Sequence, residues 1–452
     1  RFEMIAATKT AQSITRLIRF GSSPASKVTG VSNSARVISD SAVTALTPEV
    51  PLHKNSAFLS LWSLGALNST GRWLETLVVA IFVFDQTASP FLVASMLVLR
   101  LLPMSLFGLF GGIIAQRLER FVILKFASAV ITLVTFCIYL LAANGLLTIW
   151  HVGGASFISG LVWSTDFPVR RTLIGDLAGP ARISRAMSLD ILAGSGTRLL
   201  GPLLGGVLYQ QIGIHGAFLL STSLYLAGFV LVLVTPYVPD RISETQQSVA
   251  EDLAAGWRVL KRNEFLPGLL VVTVIFNIWG FPFMSMVPVL GKEHLGLNDA
   301  ATGLLVSTEG AGALIAAIAL SIFAHAGHAR IYFSLAVFTY CLFALLFSLS
   351  NAVWLSGTLL LAVGFVSAAF AAMQSALVLM NSPEKYQRQM MGILAVCIGT
   401  APIGFLHIGY LAELLGATTA CMVAAIEGII AMLFAFWRWP NLLHAQPVEQ
   451  GP

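Results

Sequence analysis

The residues best placed to do chemistry are ionisable ones set inside long apolar runs: Arg72, Glu75, Arg100, Asp166, Arg198, Glu309, His407, Glu413 and Glu427. At bilayer depth each such side chain costs roughly 2.5–3.5 kcal/mol, so each needs a partner or a watery cavity. Arg72 and Glu75 lie three residues apart on one helical face and can pair with each other. Arg72, Arg100, Asp166 and Arg198 can together set the charge of a shared cavity. A carboxylate or histidine that exchanges a proton near neutral pH, as burial can bring about, can couple the movement of a cargo to a proton gradient. Glu309, in apolar and glycine-rich surroundings, is the first candidate for that role, Glu75 the second and His407 the third. A lone histidine in such a run also serves as a hydrogen-bonded packing residue. Phe276, Asn277 and Trp279, with Gln374 on another run, offer rings and polar handles to an amphipathic substrate, although rings in such runs also face lipid.

The elements that must carry these groups are membrane-spanning helices. Of 452 residues, 57% are hydrophobic and 10% charged, and the mean hydropathy is +0.83. A soluble enzyme of this length is excluded. Apolar runs long enough to cross a hydrocarbon core, which needs about 20 residues, begin near 58, 91, 121, 147, 187 and 216, and again near 266, 301, 330, 352, 390 and 416. The expected fold is therefore all-α, with twelve transmembrane helices in two six-helix bundles, 58–238 and 266–437. A polar stretch, 239–265, forms a central cytoplasmic loop between them, and 438–452 forms a C-terminal tail. Basic residues near span ends are retained in the cytoplasm. Nearly all Lys and Arg outside the spans fall on one set of connections, while the opposite set holds only Lys292. Both termini are expected on the cytoplasmic side.

Residues 1–57 are rich in Ser, Thr and Ala, with seven basic and three acidic residues. They read either as a cytoplasmic tail without fixed structure or as a transit peptide; the first suits a bacterial inner membrane, the second an organelle. Four cysteines, Cys137, Cys341, Cys397 and Cys421, stand singly in apolar runs with no metal or redox spacing, and read as packing residues. No GxSxG, Walker-type loop or His/Glu metal spacing occurs in the spans. The sequence calls for no catalytic residue, metal, cofactor or nucleic-acid partner.

The most specific segment is Thr197-Arg198-Leu199-Leu200-Gly201-Pro202-Leu203-Leu204-Gly205-Gly206. Proline within a span bends the helix, and glycines on one face let a neighbouring helix approach closely. It resembles the Gly-x-x-x-Gly-Pro-x-x-Gly-Gly antiporter motif in the fifth helix of major facilitator superfamily exporters, with Thr197 where the first glycine is usual. Gly112, Gln116, Arg117, Glu119 and Arg120 resemble the cytoplasmic gate loop between helices two and three of that superfamily; Gln116 replaces the usual acid, which Glu119 can partly replace. Pro168 to Leu177, Ala255 to Arg262 and Gly310 to Leu314 are similar to the drug and siderophore exporter branch, which includes the enterobactin exporter and macrolide-efflux proteins. The resemblance spans 58–437. It implies a monomeric secondary transporter that moves an amphipathic drug, macrolide or siderophore outward by alternating access, with protons as the coupling ion. It also implies that helices one, two, four and five face the cavity and that helix five meets helix eight across the bundle interface, bringing Arg198 near Glu309. An uptake permease, a uniporter and a non-transporting membrane scaffold are the alternatives.

Overall fold

A chain crossing a bilayer must satisfy its backbone internally, so apolar runs of this length become helices. The computed structural model describes residues 51–117, 119–179, 182–235, 256, 258–261, 263–323 and 328–444, with backbone alone at 107–117 and 323. Most of the expected tail and of the central loop, and the end of the C-terminal tail, lie outside the described residues. Long helices follow one another as α1 (Ser56–Thr87), α2 (Pro90–Arg117), α3 (Arg120–Ala143), α4 (Ile149–Ala178), α5 (Ile183–Ile212) and α6 (Ile214–Val234). Beyond the central stretch come α7 (Leu266–Glu293), α8 (Asp299–Phe323), α9 (Ala329–Leu349), α10 (Val353–Met380), α11 (Glu384–Leu415) and α12 (Ala417–Arg438). Among the described residues there is no strand.

Nine of these, α3 and α5 to α12, are long and apolar enough to cross a membrane. Of the other three, α1 carries Asn68, Arg72 and Glu75 at mid-length and α4 carries Asp166, Arg170, Arg171 and Asp176, while the side chains of α2 are described only as far as Leu106.

Local chemistry explains several helix ends. Asn55 accepts a hydrogen bond from the Phe58 amide at 3.2 Å and starts α1, the usual work of an N-cap side chain. Gly213 after α5 and Gly416 after α11 both hold φ at 82°, a left-handed backbone that glycine adopts without strain. The two halves thus end their fifth helices alike.

One boundary differs from expectation. Arg170 and Arg171, counted with the basic residues outside the spans, lie inside α4, which runs on to Ala178 through Pro168. Both guanidiniums reach Asp190 on α5, at 2.7 and 2.9 Å. That partner lets charged residues continue the helix inside the bundle.

Apolar packing divides unevenly between the ends of the molecule. One core joins Leu74 to Val83 of α1 and Val93 to Met96 of α2 with residues of α7 to α12. A second, at the other end, holds Phe58 to Leu64, Phe121 to Leu124 and Leu173 of the first half alone. The halves therefore share a core at one end and part at the other.

Candidate functional site

A cavity of about 790 Å³ occupies the end where the halves part. Its walls come chiefly from α1, α4 and α5 on one side and from α8 and α10 on the other, with Arg100 of α2 in its lining. It reaches from mid-helix residues Arg72, Arg100 and Arg198 out to Arg171, Arg185, Ser321 and Ser375. These outer residues border the connections rich in Lys and Arg.

The opposite end is tied shut by polar side chains. Lys292 at the end of α7 ion-pairs with Asp85 of α1 and, at 2.8 Å, with Asp299 of α8. Tyr209 of α5 donates to Asp85 at 3.2 Å, and the Ala300 amide donates to Gln210 at 2.9 Å. Glu413, at the end of α11, accepts from the Ser89 hydroxyl at 2.7 Å and from the Phe91 amide at 3.3 Å. This intramembrane candidate thus caps the start of α2 from the other half.

Two buried arginine–glutamate pairs stand at the cavity floor, and they differ in what they join. Arg100 of α2 pairs with Glu75 of α1 at 3.0 Å, donates to Thr76 at 2.9 Å, and shares Glu75 with the Ser221 hydroxyl of α6. All of these belong to the first half. Arg198 of α5 pairs with Glu309 of α8, which is 2% exposed and also accepts from the Ser367 hydroxyl of α10 at 3.3 Å. This pair bridges the halves, as the resemblance implies.

The expected Arg72–Glu75 pair does not form, because Arg100 takes the Glu75 carboxylate. Arg72 instead stacks over Trp163, 4.6 Å from the ring centroid, and donates to Ser69 at 3.3 Å. Asp166 is buried in the cavity wall, 7% exposed, with Oδ1 lacking a hydrogen-bond partner. The cavity thus brings together Arg72, Arg100, Asp166 and Arg198.

The four substrate-pocket candidates do not line it. Phe276 packs among Tyr340 and Phe370 in the second half. Asn277 is buried and donates to the Thr273 carbonyl at 2.9 Å, while Gln374 donates to the Thr273 hydroxyl at 3.1 Å. Trp279 donates to Glu427 at 2.9 Å. Phe276, Asn277 and Trp279 lie on a π-helical turn of α7, Phe276–Gly280. His407 is not alone either: its Nε2 lies 2.7 Å from Glu427, away from the cavity.

The fifth-helix motif serves close approach. A Cβ on Gly201 would lie 2.6 Å from that of Trp73 on α1, and one on Gly206 would lie 2.6 Å from the Asp299 carbonyl and 2.8 Å from Gly303 of α8. Gly205 faces Leu74 and Val78 of α1. The Thr197 hydroxyl donates to the Gly194 carbonyl at 2.8 Å and lies 2.9 Å from the Ser69 hydroxyl. With Pro202 in its middle, α5 is held between α1 and α8. In the gate loop, Arg120 pairs with Asp176 at 2.9 Å, and Glu119 precedes α3 without a capping bond from its side chain. Gly112, Gln116 and Arg117 are described by their helical backbone alone.

Asp190 escaped the reading of the sequence, although it holds two arginines. A single acid in the apolar run from 187, facing two adjacent arginines at the end of the preceding run, was the available signal.

The profile of the transmembrane secretion effector family matches residues 46–446. The chain belongs to that family, within the major facilitator superfamily. A Bacillus subtilis protein described as an uncharacterized MFS-type transporter is 25% identical over 83% of this chain and 91% of its own length. Macrolide efflux protein A of Streptococcus pyogenes is 19% identical over 59% of this chain and 66% of its own. Among solved structures, a POT family transporter in complex with 5-aminolevulinic acid superposes with a TM-score of 0.71 at 12% identity, over 88% of this chain and 99% of that one. The last likeness concerns the fold alone. This secretion-effector relative is a multi-pass membrane transporter of a small molecule, not an enzyme, and its named relatives are bacterial, in keeping with an inner-membrane location.

Proposed function

We propose that this transporter is a monomeric secondary exporter of amphipathic small organic molecules, working by alternating access and driven by proton entry. The observation that carries the reading is the divided core: the halves share apolar packing at one end, while at the other a cavity separates them and ends against basic connections. Basic connections stay cytoplasmic, so the cavity opens inward, both termini are cytoplasmic, and 58–238 and 266–437 act as the two moving bundles.

Rocking one half against the other preserves contacts inside each half and exchanges contacts between them. Arg100–Glu75 belongs to the first class and Arg198–Glu309 to the second. Closing the cavity and opening the far end must therefore break the Lys292 cluster and alter the Arg198–Glu309 pair. A glutamate released from its arginine can take a proton, which makes Glu309 the coupling residue of this mechanism. The similarity to a macrolide efflux protein favours the outward direction.

The reading is tested in inverted and right-side-out vesicles holding the purified protein, with an imposed proton gradient and a set of fluorescent amphiphiles. Gradient-dependent accumulation in inverted vesicles is expected. Accumulation in right-side-out vesicles would make the protein an uptake permease, and movement indifferent to the gradient would remove proton coupling.

A further inference from the structure

We infer that the cavity is built for an organic anion, received by the guanidinium of Arg72. The inference rests on the transport reading above and narrows its cargo.

Six arginines line the cavity, namely Arg72, Arg100, Arg170, Arg171, Arg185 and Arg198, against the two acids Asp166 and Asp190. Four of the six are already engaged. Arg100 holds Glu75, Arg198 holds Glu309, and Arg170 and Arg171 share Asp190. Counting Glu75 and Glu309 behind the wall, the guanidiniums still outnumber the carboxylates, so positive charge is left facing the void.

Arg72 is where that excess is most confined. Among the described residues it makes no ion pair, and its guanidinium donates one hydrogen bond, to Ser69 at 3.3 Å. The Trp163 ring lies 4.6 Å beneath it and the Trp73 ring 5.8 Å away. Arg198 lies over the same Trp73 ring at 5.0 Å. A cation on aromatic faces is held in place while its remaining N–H groups stay free to donate.

Beside it, the buried wall holds polar atoms without partners: the Trp163 indole Nε1, Asn68 Oδ1 and Asp166 Oδ1. Such atoms cost free energy unless a ligand or water satisfies them. An arriving carboxylate, sulfonate or phosphate would accept from Arg72 and from the Trp163 indole. A hydroxyl or amine on the same molecule would donate to Asn68 and Asp166. The forked guanidinium matches planar oxyanions in particular. A cation would meet Arg72 and Arg198 across a low-dielectric space and gain only Asp166 in return.

The test uses the full-length protein in nanodiscs and two dyes on the same xanthene frame, anionic fluorescein and cationic rhodamine 6G, with binding read by equilibrium dialysis. Fluorescein is expected to bind more tightly than rhodamine 6G. Arg72→Gln should weaken fluorescein binding roughly tenfold or more, Arg72→Lys should keep part of it, and Asp166→Asn should preserve or strengthen it. Thermal unfolding of each variant shows whether the fold is intact. Binding of rhodamine 6G in preference, absence of fluorescein binding, indifference to Arg72→Gln in a folded protein, or loss of fluorescein binding in a folded Asp166→Asn would overturn the inference. Fluorescein that binds at Arg72 but is moved by no gradient in proteoliposomes would leave the anion site standing and sink the transport reading instead.

Discussion

At the scale of single residues, what matters is which half of the molecule each charge is tied to. Arg100–Glu75 and Arg198–Glu309 have the same composition and both glutamates are almost fully buried. Glu75→Gln leaves Arg100 in the interior without its counter-charge, a change that typically costs about 3–5 kcal/mol; a clear fall in the thermal unfolding temperature of the purified protein is the expected result. Glu309→Gln should act differently, because its guanidinium partner is one-fifth exposed at the cavity. Proton-driven efflux should drop by roughly an order of magnitude or more while cargo binding is retained, a split read by comparing vesicle flux with dialysis. Undiminished flux would remove Glu309 from the coupling. The candidate charges were legible in the sequence because ions in apolar runs are conspicuous. Their pairing was not: Arg72 and Glu75 satisfy the spacing rule of one helix, yet Arg100 from α2 and Ser221 from α6 converge on the same carboxylate.

At the scale of elements, α5 is the part on which relative motion would turn in the proposed alternating-access cycle. It has glycine against α1 at Gly201 and glycine against α8 at Gly206, with Pro202 between them. Backbones that approach this closely can slide or tilt without side chains interlocking. Gly206→Leu would drive a side chain into the Asp299 carbonyl and Gly303, so α5 and α8 must separate at the closed end. We expect flux to be nearly abolished with the protein still inserted and α-helical, checked by vesicle transport alongside circular dichroism; normal flux would show that this contact tolerates separation. The motif itself could be read from the sequence, since proline and glycine act through the backbone. The π-helical turn of α7 could not. It is closed by the Phe281 amide donating to the Phe276 carbonyl at 2.8 Å, and Asn277 and Trp279 within it bond to Thr273 and Glu427 instead of lining the void in which their residue types had suggested a role.

At the scale of the whole molecule, the closed end combines the shared apolar core with a small set of polar links. Lys292 links Asp85 and Asp299, with side chains 21–31% exposed, and exposed pairs of this sort contribute about 0–1 kcal/mol each. Such a latch can bias the two states without locking either. Lys292→Gln leaves two carboxylates facing each other and should shift the population toward the outward-open form by several-fold, on the order of 1 kcal/mol. The check is labelling of Ser188→Cys, on a background without the native cysteines, by a membrane-impermeant thiol reagent applied to inverted vesicles. The rate should fall if the cavity spends less time open inward. An unchanged or faster rate would show that the Lys292 cluster does not hold this state.

Hydropathy and the uneven placement of Lys and Arg were enough to expect a bundle of membrane helices, its orientation and a short set of costly ions, because bilayer insertion acts on each segment separately and penalises charge wherever it stands. The motifs around Gly201, Pro202 and Gly310 pointed to the family in the same local way. Which ions share a cavity, which pair crosses between the halves, and which end of the molecule is open depend on helix rotation and on contacts between residues far apart in the chain. Asp190 gathering Arg170 and Arg171, and Arg72 left facing Trp163 without a carboxylate, are consequences of several helices packing at once. No single run of sequence carries that information, because each helix settles its rotation against its neighbours.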